Sequence, residues 1–425
     1  MSQSPPSTFV VLSQVYPPDP TSVGQHIHDV AVEMVRRGYR VVVFTSDRGY
    51  EDPSQRFARR ETVDGVDVRR LPLSGFGKSS ILIRVLGGLS FTLQAAVRSL
   101  FVRRLRLMLV STSPPMCGLA AVLVGMLRRV EVTFWAMDLN PDQMVALGKA
   151  SPTSLLVRAF DWLNRRILHR SRAVVALDRF MAERINRKVE VSDKMVVMPP
   201  WPHEDHVEPV AHADNPFRHE HGLADKTVIM YSGNLSLASP VTTIVDAARR
   251  VEDLQDLVFL FVGGGLQKKQ IDELIERQHP PNIRTLPYQP IERLRYSLSA
   301  ADVHLVSVGN EIVGICHPCK VYGSMAVSRP ILALGPKPSH VTDIVDGQGV
   351  GWTVEHGDVD AAERLIREIY RTPTDVRMAM GGRARQIVDR QFTMRGLCKR
   401  FCDAVEFGVT QPPSDDVGRP AAGVN

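Results

Sequence analysis

Hydrophobic residues along this chain fall into short solid runs separated by stretches with helical spacing. The first run, Phe9 to Leu12 in "TFVVLSQVYPP", is followed by a polar loop and then by "GQHIHDVAVEMVRRGYRVVVFTSD". There Ile27, Val30, Ala31, Met34 and Val35 recur at helical intervals, Gly38 stops the pattern, and a second solid run extends from Arg40 to Thr45. Such spacing lays one face of a helix on a core, and a solid apolar run bounded by turn residues marks a buried strand. Strand, helix, strand in that order predicts a parallel sheet. Further units are predicted from a strand Leu107 to Ser111, a helix from Met116, a strand Val130 to Trp135, a helix Thr153 to His169, and strands Ala173 to Ala176 and Met195 to Met198.

The segment "PPWPHEDHVEPVAHADNP" then breaks the periodicity with five prolines, as a linker does. A second sheet is predicted beyond it. "KTVIMYSGNLS" reads as a strand ending at Gly233, "PVTTIVDAARRV" as a helix, "LVFLFVGGG" as a buried strand closed by three glycines, and "KKQIDELIERQ" as a helix. The alternation continues through "NIRTLPYQP", "IERLRYSLSAAD", "VHLVSV", "RPILAL" and "GVGWTVE". The fold class expected is α/β, with two tandem Rossmann-like doubly wound domains facing a cleft. The expected boundaries are residues 1–203, 204–390, a crossover helix 391–407 and a disordered tail 408–425. In open parallel sheets ligands gather outside the carboxyl ends of the strands, where helix amino termini present N–H groups to anions. A diphosphate is the natural guest.

Composition alters this picture little: 44% hydrophobic and 23% charged residues describe an ordinary globular protein. The net charge of +6 says more once it is located. "IRVLGGLSFTLQAAVRSLFVRRLR" carries Arg84, Arg98, Arg103, Arg104 and Arg106 among large apolar residues and no acid. This is the pattern of a helix on an anionic membrane surface, and equally of a helix with a solvated basic end. Nucleic acid is not expected as a partner, because these cations lie among apolar residues rather than exposed aromatics. The run Leu107 to Leu127 approaches membrane-spanning length, but Pro114 and Pro115 divide it into a strand and a helix. The polar opening "MSQSPPST" carries no secretion signal, so a cytoplasmic protein is expected, peripheral at the inner face of the plasma membrane.

Five cysteines point to reduced thiols. Cys316 and Cys319 form a C-x-x-C beside His317, with Cys398 and Cys402 far downstream. Neither pair has a tight zinc-knuckle setting, so packing thiols are expected and no metal or cofactor.

"YSGNLS" and "LFVGGG" after successive strands, "LPYQPIERLRYSLSAADVHLVSV", the P-x-K step in "HPCK", and "GVGWTVEHGDVDA" resemble the carboxyl-terminal half of family 4 glycosyltransferases of the GT-B fold. The likeness is to bacterial enzymes of capsule, colanic-acid and O-antigen assembly. "VYPPDPTSVGQHIHDVAVEMVRRGYRVVVFTS", "STSPP", "MDLNPDQMVALG" and "VVMPPWPHEDHVEP" extend it through the first half, so that it covers Phe9 to about Phe407. The resemblance implies transfer of a sugar, with retention and without a metal, from a nucleoside diphosphate sugar to a lipid-linked or glycan acceptor. The second domain would hold the donor and the first the acceptor.

Carried onto this sequence, the resemblance assigns Lys320 to the departing diphosphate, whose charge must be met by cations and N–H groups where no metal serves. A solvated lysine is the alternative. His317 donates to the phosphates or the sugar, or simply packs. Gly233, Asn234 and Gly264 are donor-side loop residues, or plain turns. Lys268 or Lys269 reaches a phosphate, and Tyr322 and Gly323 complete the donor set. Gly24 lies where the family brings a glycine loop to the donor phosphates, and His26 opens the helix beyond it on the acceptor side. Asp138 orients or deprotonates the acceptor hydroxyl, or else caps a helix in "DLNPDQ". Many family members carry two glutamates eight positions apart; aligned on Lys320, those slots hold Ile315 and Gly323. Glu311 lies near enough to reach the sugar, with different spacing. The rivals are a catalytically silent sugar-nucleotide sensor or partner subunit, suggested by the missing carboxylates, and a non-hydrolysing sugar-nucleotide epimerase.

Overall fold

The computed structural model describes residues 5–19, 21–50, 52–74, 81–203 and 207–409, apart from the side chains of 81, 82 and 84. The expected tail from 410 onward lies outside these residues. The chain forms two compact units: the described residues up to Pro200 with those from Arg395 onward, and Trp201–Met394.

The first unit runs β1 (Thr8–Leu12), α1 (Ser22–Arg36), β2 (Arg40–Ser46), β3 (Arg60–Val63), β4 (Val66–Leu71), α2 (Ile81–Leu100), β5 (Leu105–Ser111), α3 (Cys117–Arg128), β6 (Glu131–Ala136), α4 (Asp142–Ala146), α5 (Leu155–Arg170), β7 (Ala173–Ala176), α6 (Arg179–Lys188) and β8 (Met195–Val197). Its sheet has the order β3-β4-β2-β1-β5-β6-β7-β8, parallel except for the edge pair β3 and β4. Strands β1 and β7 are buried along their whole length, as the solid apolar runs require. Thr21 caps α1 by accepting the Gly24 N–H, and Ser154 caps α5 by accepting that of Val157.

The basic segment departs from expectation. Helix α2 ends at Leu100, Arg103 and Arg104 lie in the following turn, and Arg106 lies in β5, so Arg84 to Arg106 is not one surface helix. Arg104 turns the chain with φ of 53° and donates to the Pro5 carbonyl at 2.7 Å. The run Leu107 to Leu127 is β5 and α3, and no helix among the described residues is long and apolar enough to cross a membrane.

The second unit comprises α7 (Pro216–Glu220), β9 (Thr227–Asn234), α8 (Thr242–Arg249), β10 (Leu257–Gly264), α9 (Leu266–Gln278), β11 (Ile283–Leu286), α10 (Leu294–Ser299), β12 (Val303–Ser307), α11 (Lys320–Ala326), β13 (Ile331–Leu334), α12 (His340–Gln348), β14 (Gly351–Val354), α13 (Val359–Arg371) and α14 (Thr374–Gln391). Its all-parallel sheet has the order β11-β10-β9-β12-β13-β14. Phe259 and Phe261 of β10, Leu305 of β12 and Leu332 of β13 share one core with Ile244 of α8 and Ile366 of α13. Beneath the sheet, the Asp302 carboxylate accepts the Val228 N–H at 2.9 Å and pairs with buried Arg218 at 3.3 Å and Arg377 at 3.6 Å.

The last helix, α15 (Met394–Phe407), belongs with the first unit. Its Phe401 ring lies 4.1 Å from that of Trp135, and Glu406 accepts from the Tyr39 hydroxyl at 2.9 Å. Arg37 pairs with both Asp403 and Glu406. All five cysteines are free thiols; Cys117, Cys398 and Cys402 are buried as packing residues, Cys402 against the Val30 carbonyl.

Candidate active site

In the second sheet the chain leaves β9 for β10 and β11 on one side, then returns to β12 on the other. The reversal places a crevice at the carboxyl ends of β9 and β12, the usual ligand position in such sheets. Gly233, near the end of β9, has φ of +123°, and a Cβ there would stand 2.5 Å from Cε of Lys320. Gly263 of β10 has φ of +141°, and its Cβ would stand 2.0 Å from the Gly233 carbonyl oxygen. These two glycines let the strand ends close together and leave room for one long side chain above them.

That side chain is Lys320, the first residue of α11. Its ammonium donates to the Asn234 carbonyl at 3.4 Å and lies 5.1 Å from the centroid of the Tyr231 ring, whose hydroxyl donates to the same carbonyl at 2.8 Å. No carboxylate pairs with Lys320 among the described residues. A lysine in the first turn opposes the helix dipole, and here a carbonyl and a ring face are its neighbours. Gly233, Asn234 and Lys320 are therefore brought together.

Tyr322, one turn into the same helix, is almost fully buried. Its hydroxyl oxygen lies 2.9 Å from Nε2 of His317 and 2.9 Å from Nε2 of His340. A phenol carries one proton, so it donates to one ring and accepts from the other. The imidazole rings themselves approach to 3.9 Å. His317 is thus fixed by a network that includes a histidine, His340, which sequence reasoning passed over. Tyr231 was also missed, since inside "VIMYSG" it reads as an ordinary strand residue.

The remaining expected residues are placed as follows. The Lys268 ammonium pairs with Asp272 at 2.7 Å, one turn along α9, and Asp272 also accepts the Thr285 hydroxyl. Lys269 is exposed. Gly264 ends β10 beside Tyr288, where a Cβ would meet the ring at 2.8 Å. Glu311 is exposed on the single turn Asn310–Ile312. Ile315 and Gly323, in the slots of the family carboxylates, are both buried.

In the first unit Gly24 lies within the first turn of α1 rather than in a loop. A Cβ there would stand 2.9 Å from the Thr21 hydroxyl oxygen and 3.3 Å from the Tyr16 backbone. His26 is buried; its Nδ1 donates to the Ser22 carbonyl at 2.7 Å, and its ring meets Trp135 edge-on. Asp138, half-buried just beyond β6, has its N–H bonded to the Thr112 hydroxyl at 3.2 Å. Helix α4 starts at Asp142 behind Pro141 with no side-chain cap, so Asp138 does not cap it.

Two family models match the chain: a glycosyl transferase 4-like domain over residues 21–201 and glycosyl transferases group 1 over residues 214–387. Among curated proteins, the probable glycosyltransferase WbjE of Pseudomonas aeruginosa is 26% identical over 268 residues, 63% of this chain and 66% of that protein. The putative colanic acid biosynthesis glycosyl transferase WcaI of Escherichia coli K12 is 23% identical over 407 residues, 92% of this chain and 97% of that protein. The chain thus spans just under two thirds of the first relative and nearly all of the second. Among solved structures, sucrose-phosphate synthase from Thermosynechococcus elongatus is similar with a TM-score of 0.73 at 16% identity, over 94% of this chain and 98% of that one. Anabaena Alr3699/HepE in complex with UDP and glucose is similar with a TM-score of 0.70 at 14% identity, over 94% of this chain and 100% of that one.

Proposed function

The chain belongs to the glycosyltransferases, with a 4-like domain followed by a group 1 domain in the GT-B fold, and from that premise we propose a specific reaction. The enzyme moves a sugar, with retention at the anomeric carbon, from a nucleoside diphosphate sugar to a membrane-linked or polysaccharide-precursor acceptor in cell-surface polysaccharide assembly. The names of WbjE and WcaI and the UDP held by HepE support this reading.

The observation that carries it is the Lys320 ammonium, held above glycine strand ends at a sheet reversal with no carboxylate partner among the described residues. Breaking the anomeric C–O bond leaves the electron pair on a nucleoside diphosphate. Lys320 meets that charge without a metal, and the His317–Tyr322–His340 network donates beside it. Asp138 orients or deprotonates the acceptor hydroxyl, which forms the new C–O bond.

The protein works peripherally at the inner face of the plasma membrane. Leu86, Leu89, Leu93 and Val97 form an outward stripe on α2, continued by exposed Leu123, Met126 and Leu127 on the adjoining α3. Between Leu71 and Val130 the chain has eight basic residues and no acid, which suits an anionic bilayer.

Transfer of radiolabelled sugar to membrane extracts, after a thermal-shift screen of nucleoside diphosphates, tests the proposal. Turnover is expected. Binding without turnover supports instead a catalytically silent partner subunit, the reading favoured by the buried Ile315 and Gly323 in place of the family's carboxylates.

A further inference from the structure

The first sheet also reverses its direction of growth: from β1 the chain goes to β2 on one side and later returns to β5 on the other. The loop that follows β1, residues 13–19, lies at that reversal, the ligand position of such a sheet. It includes Pro17 and Pro18, which carry no N–H, so little of it can be fastened by its own amide donors. Side chains fasten it instead, two of them from the antiparallel edge hairpin β3–β4.

Arg70 of β4 is 1% exposed. Its guanidinium forks between two carbonyls, those of Pro17 and Ala58, each at 2.9 Å, and pairs with Glu61 at 2.5 Å. The second hold is a chain of three side chains. The Tyr16 hydroxyl lies 2.8 Å from Nδ1 of His28 on α1, and Nε2 of the same ring lies 3.1 Å from the Asp64 carboxylate. A carboxylate only accepts, so with the ring neutral Nε2 carries the proton and Nδ1 accepts from Tyr16. Burial, and after it the charge of Asp64, raises the Tyr16 phenol well above its ordinary pKa and keeps its proton in place. Asp64 and Gly65 form the two-residue turn of the hairpin with φ of 49° and 83°, a geometry that suits Asp-Gly.

A buried ion pair is weak evidence for stability, since an apolar side chain of similar volume often serves a fold as well. The planar fork of Arg70 does what an apolar side chain cannot: it fixes two carbonyls on separate segments relative to one another. Small displacements near reacting groups cost large factors in rate, and a fixed loop matters most there. We propose that Arg70, Tyr16, His28 and Asp64 are positioning residues for the transfer reaction, holding residues 13–19 in one conformation at the crevice of the first unit. They act through the loop rather than on a reactant, and their role rests on the proposed reaction.

The test combines initial rates of radiolabelled sugar transfer to membrane extract, hydrogen–deuterium exchange of the segment 13–19, and calorimetric titration with the nucleoside diphosphate that stabilises the wild type. Arg70→Met is expected to speed exchange of the segment and to lower the limiting rate at saturating donor by about tenfold or more, with nucleoside diphosphate affinity retained. Arg70→Lys, which reaches one carbonyl at a time, is expected to recover part of the rate. Tyr16→Phe keeps the ring and is expected to lower the rate by a factor of about 3 to 10, as for one neutral hydrogen bond. Wild-type exchange and rate in Arg70→Met overturn the inference. A rate that falls only in step with melting temperature, with no recovery in Arg70→Lys, also overturns it, because Arg70 then serves the fold alone. Should Arg70→Met fail to fold, Tyr16→Phe decides, and unaltered exchange and rate in that variant overturn the inference. A wild type without transfer sinks the proposed reaction instead, and exchange in the two variants still shows whether the clamp exists.

Discussion

Replacing Lys320 with alanine separates a ligand-binding cation from a structural one. In the folded protein the ammonium has a 3.4 Å contact to a carbonyl and a ring face 5.1 Å away, and no carboxylate among the described residues. A cation over an accessible ring contributes about 0.5–1 kcal/mol, and a contact at the long end of hydrogen bonding adds little. The variant should therefore lose about 1 kcal/mol of stability or less, roughly 2–4 °C in melting temperature for a unit of this size. A charge-assisted bond to a phosphate contributes about 1.5–3 kcal/mol, so donor affinity should fall at least tenfold, equivalent to about 1.4 kcal/mol. Titration calorimetry with the nucleoside diphosphate that stabilises the wild type reads the affinity, and thermal unfolding without ligand reads the fold. Two results would refute the reasoning: unaltered affinity, or a loss of stability large enough to account for weakened binding.

Gly233→Ala should be costly twice over, since a φ of +123° is strained by about 1–3 kcal/mol for alanine and the new methyl meets the Lys320 stem; melting temperature and donor affinity should fall together. Gly264→Ala, whose methyl meets the exposed Tyr288 ring first, should be the milder of the two in the same assays. Asp302→Ala leaves Arg218 and Arg377 buried without their shared carboxylate, a cost of about 3–5 kcal/mol, and a melting temperature lowered by only a degree or two would contradict that role. His304 is fully buried, and burial lowers its pKa from 6.5 to about 4. The unfolded chain takes up this proton near pH 6.5 and the folded chain only near 4, so stability is full above 6.5 and declines as pH falls through that window, by up to about 1.4 kcal/mol per pH unit. In denaturant titrations across that range, His304→Gln should flatten the decline; an unchanged slope would assign the acid sensitivity elsewhere.

The strands of both sheets were legible because parallel strands buried on both faces appear as unbroken apolar runs, "FVVL" and "LVFLFV" among them. The edge pair β3 and β4 was not: "RETV" and "VDVRR" alternate with charged residues, as edge strands do, and show no solid run. Helix α6, "RFMAERINRK", is mostly polar and buries only Met181, Ala182 and Ile185. The end of the helix in the basic segment was not legible because composition does not show where a helix stops; Arg104 turns the chain there with a left-handed residue that is not glycine. Within the candidate site, Lys320 could be singled out because a lysine at a helix start needs an anion. Tyr231 and His340 could not, since neither contact follows from spacing in the chain. The Lys268–Asp272 pair lies in plain view four residues apart, a helical neighbour that the spacing alone announces.

The most direct measurement is calorimetric titration of the full chain with uridine, guanosine and thymidine diphosphates in the presence of EDTA, repeated with excess magnesium or manganese. Saturable one-site binding of at least one of them in EDTA, unchanged by the metal, is the result expected if the Lys320 crevice holds the donor diphosphate unaided. No binding of any, or binding only once a divalent ion is restored, would contradict it.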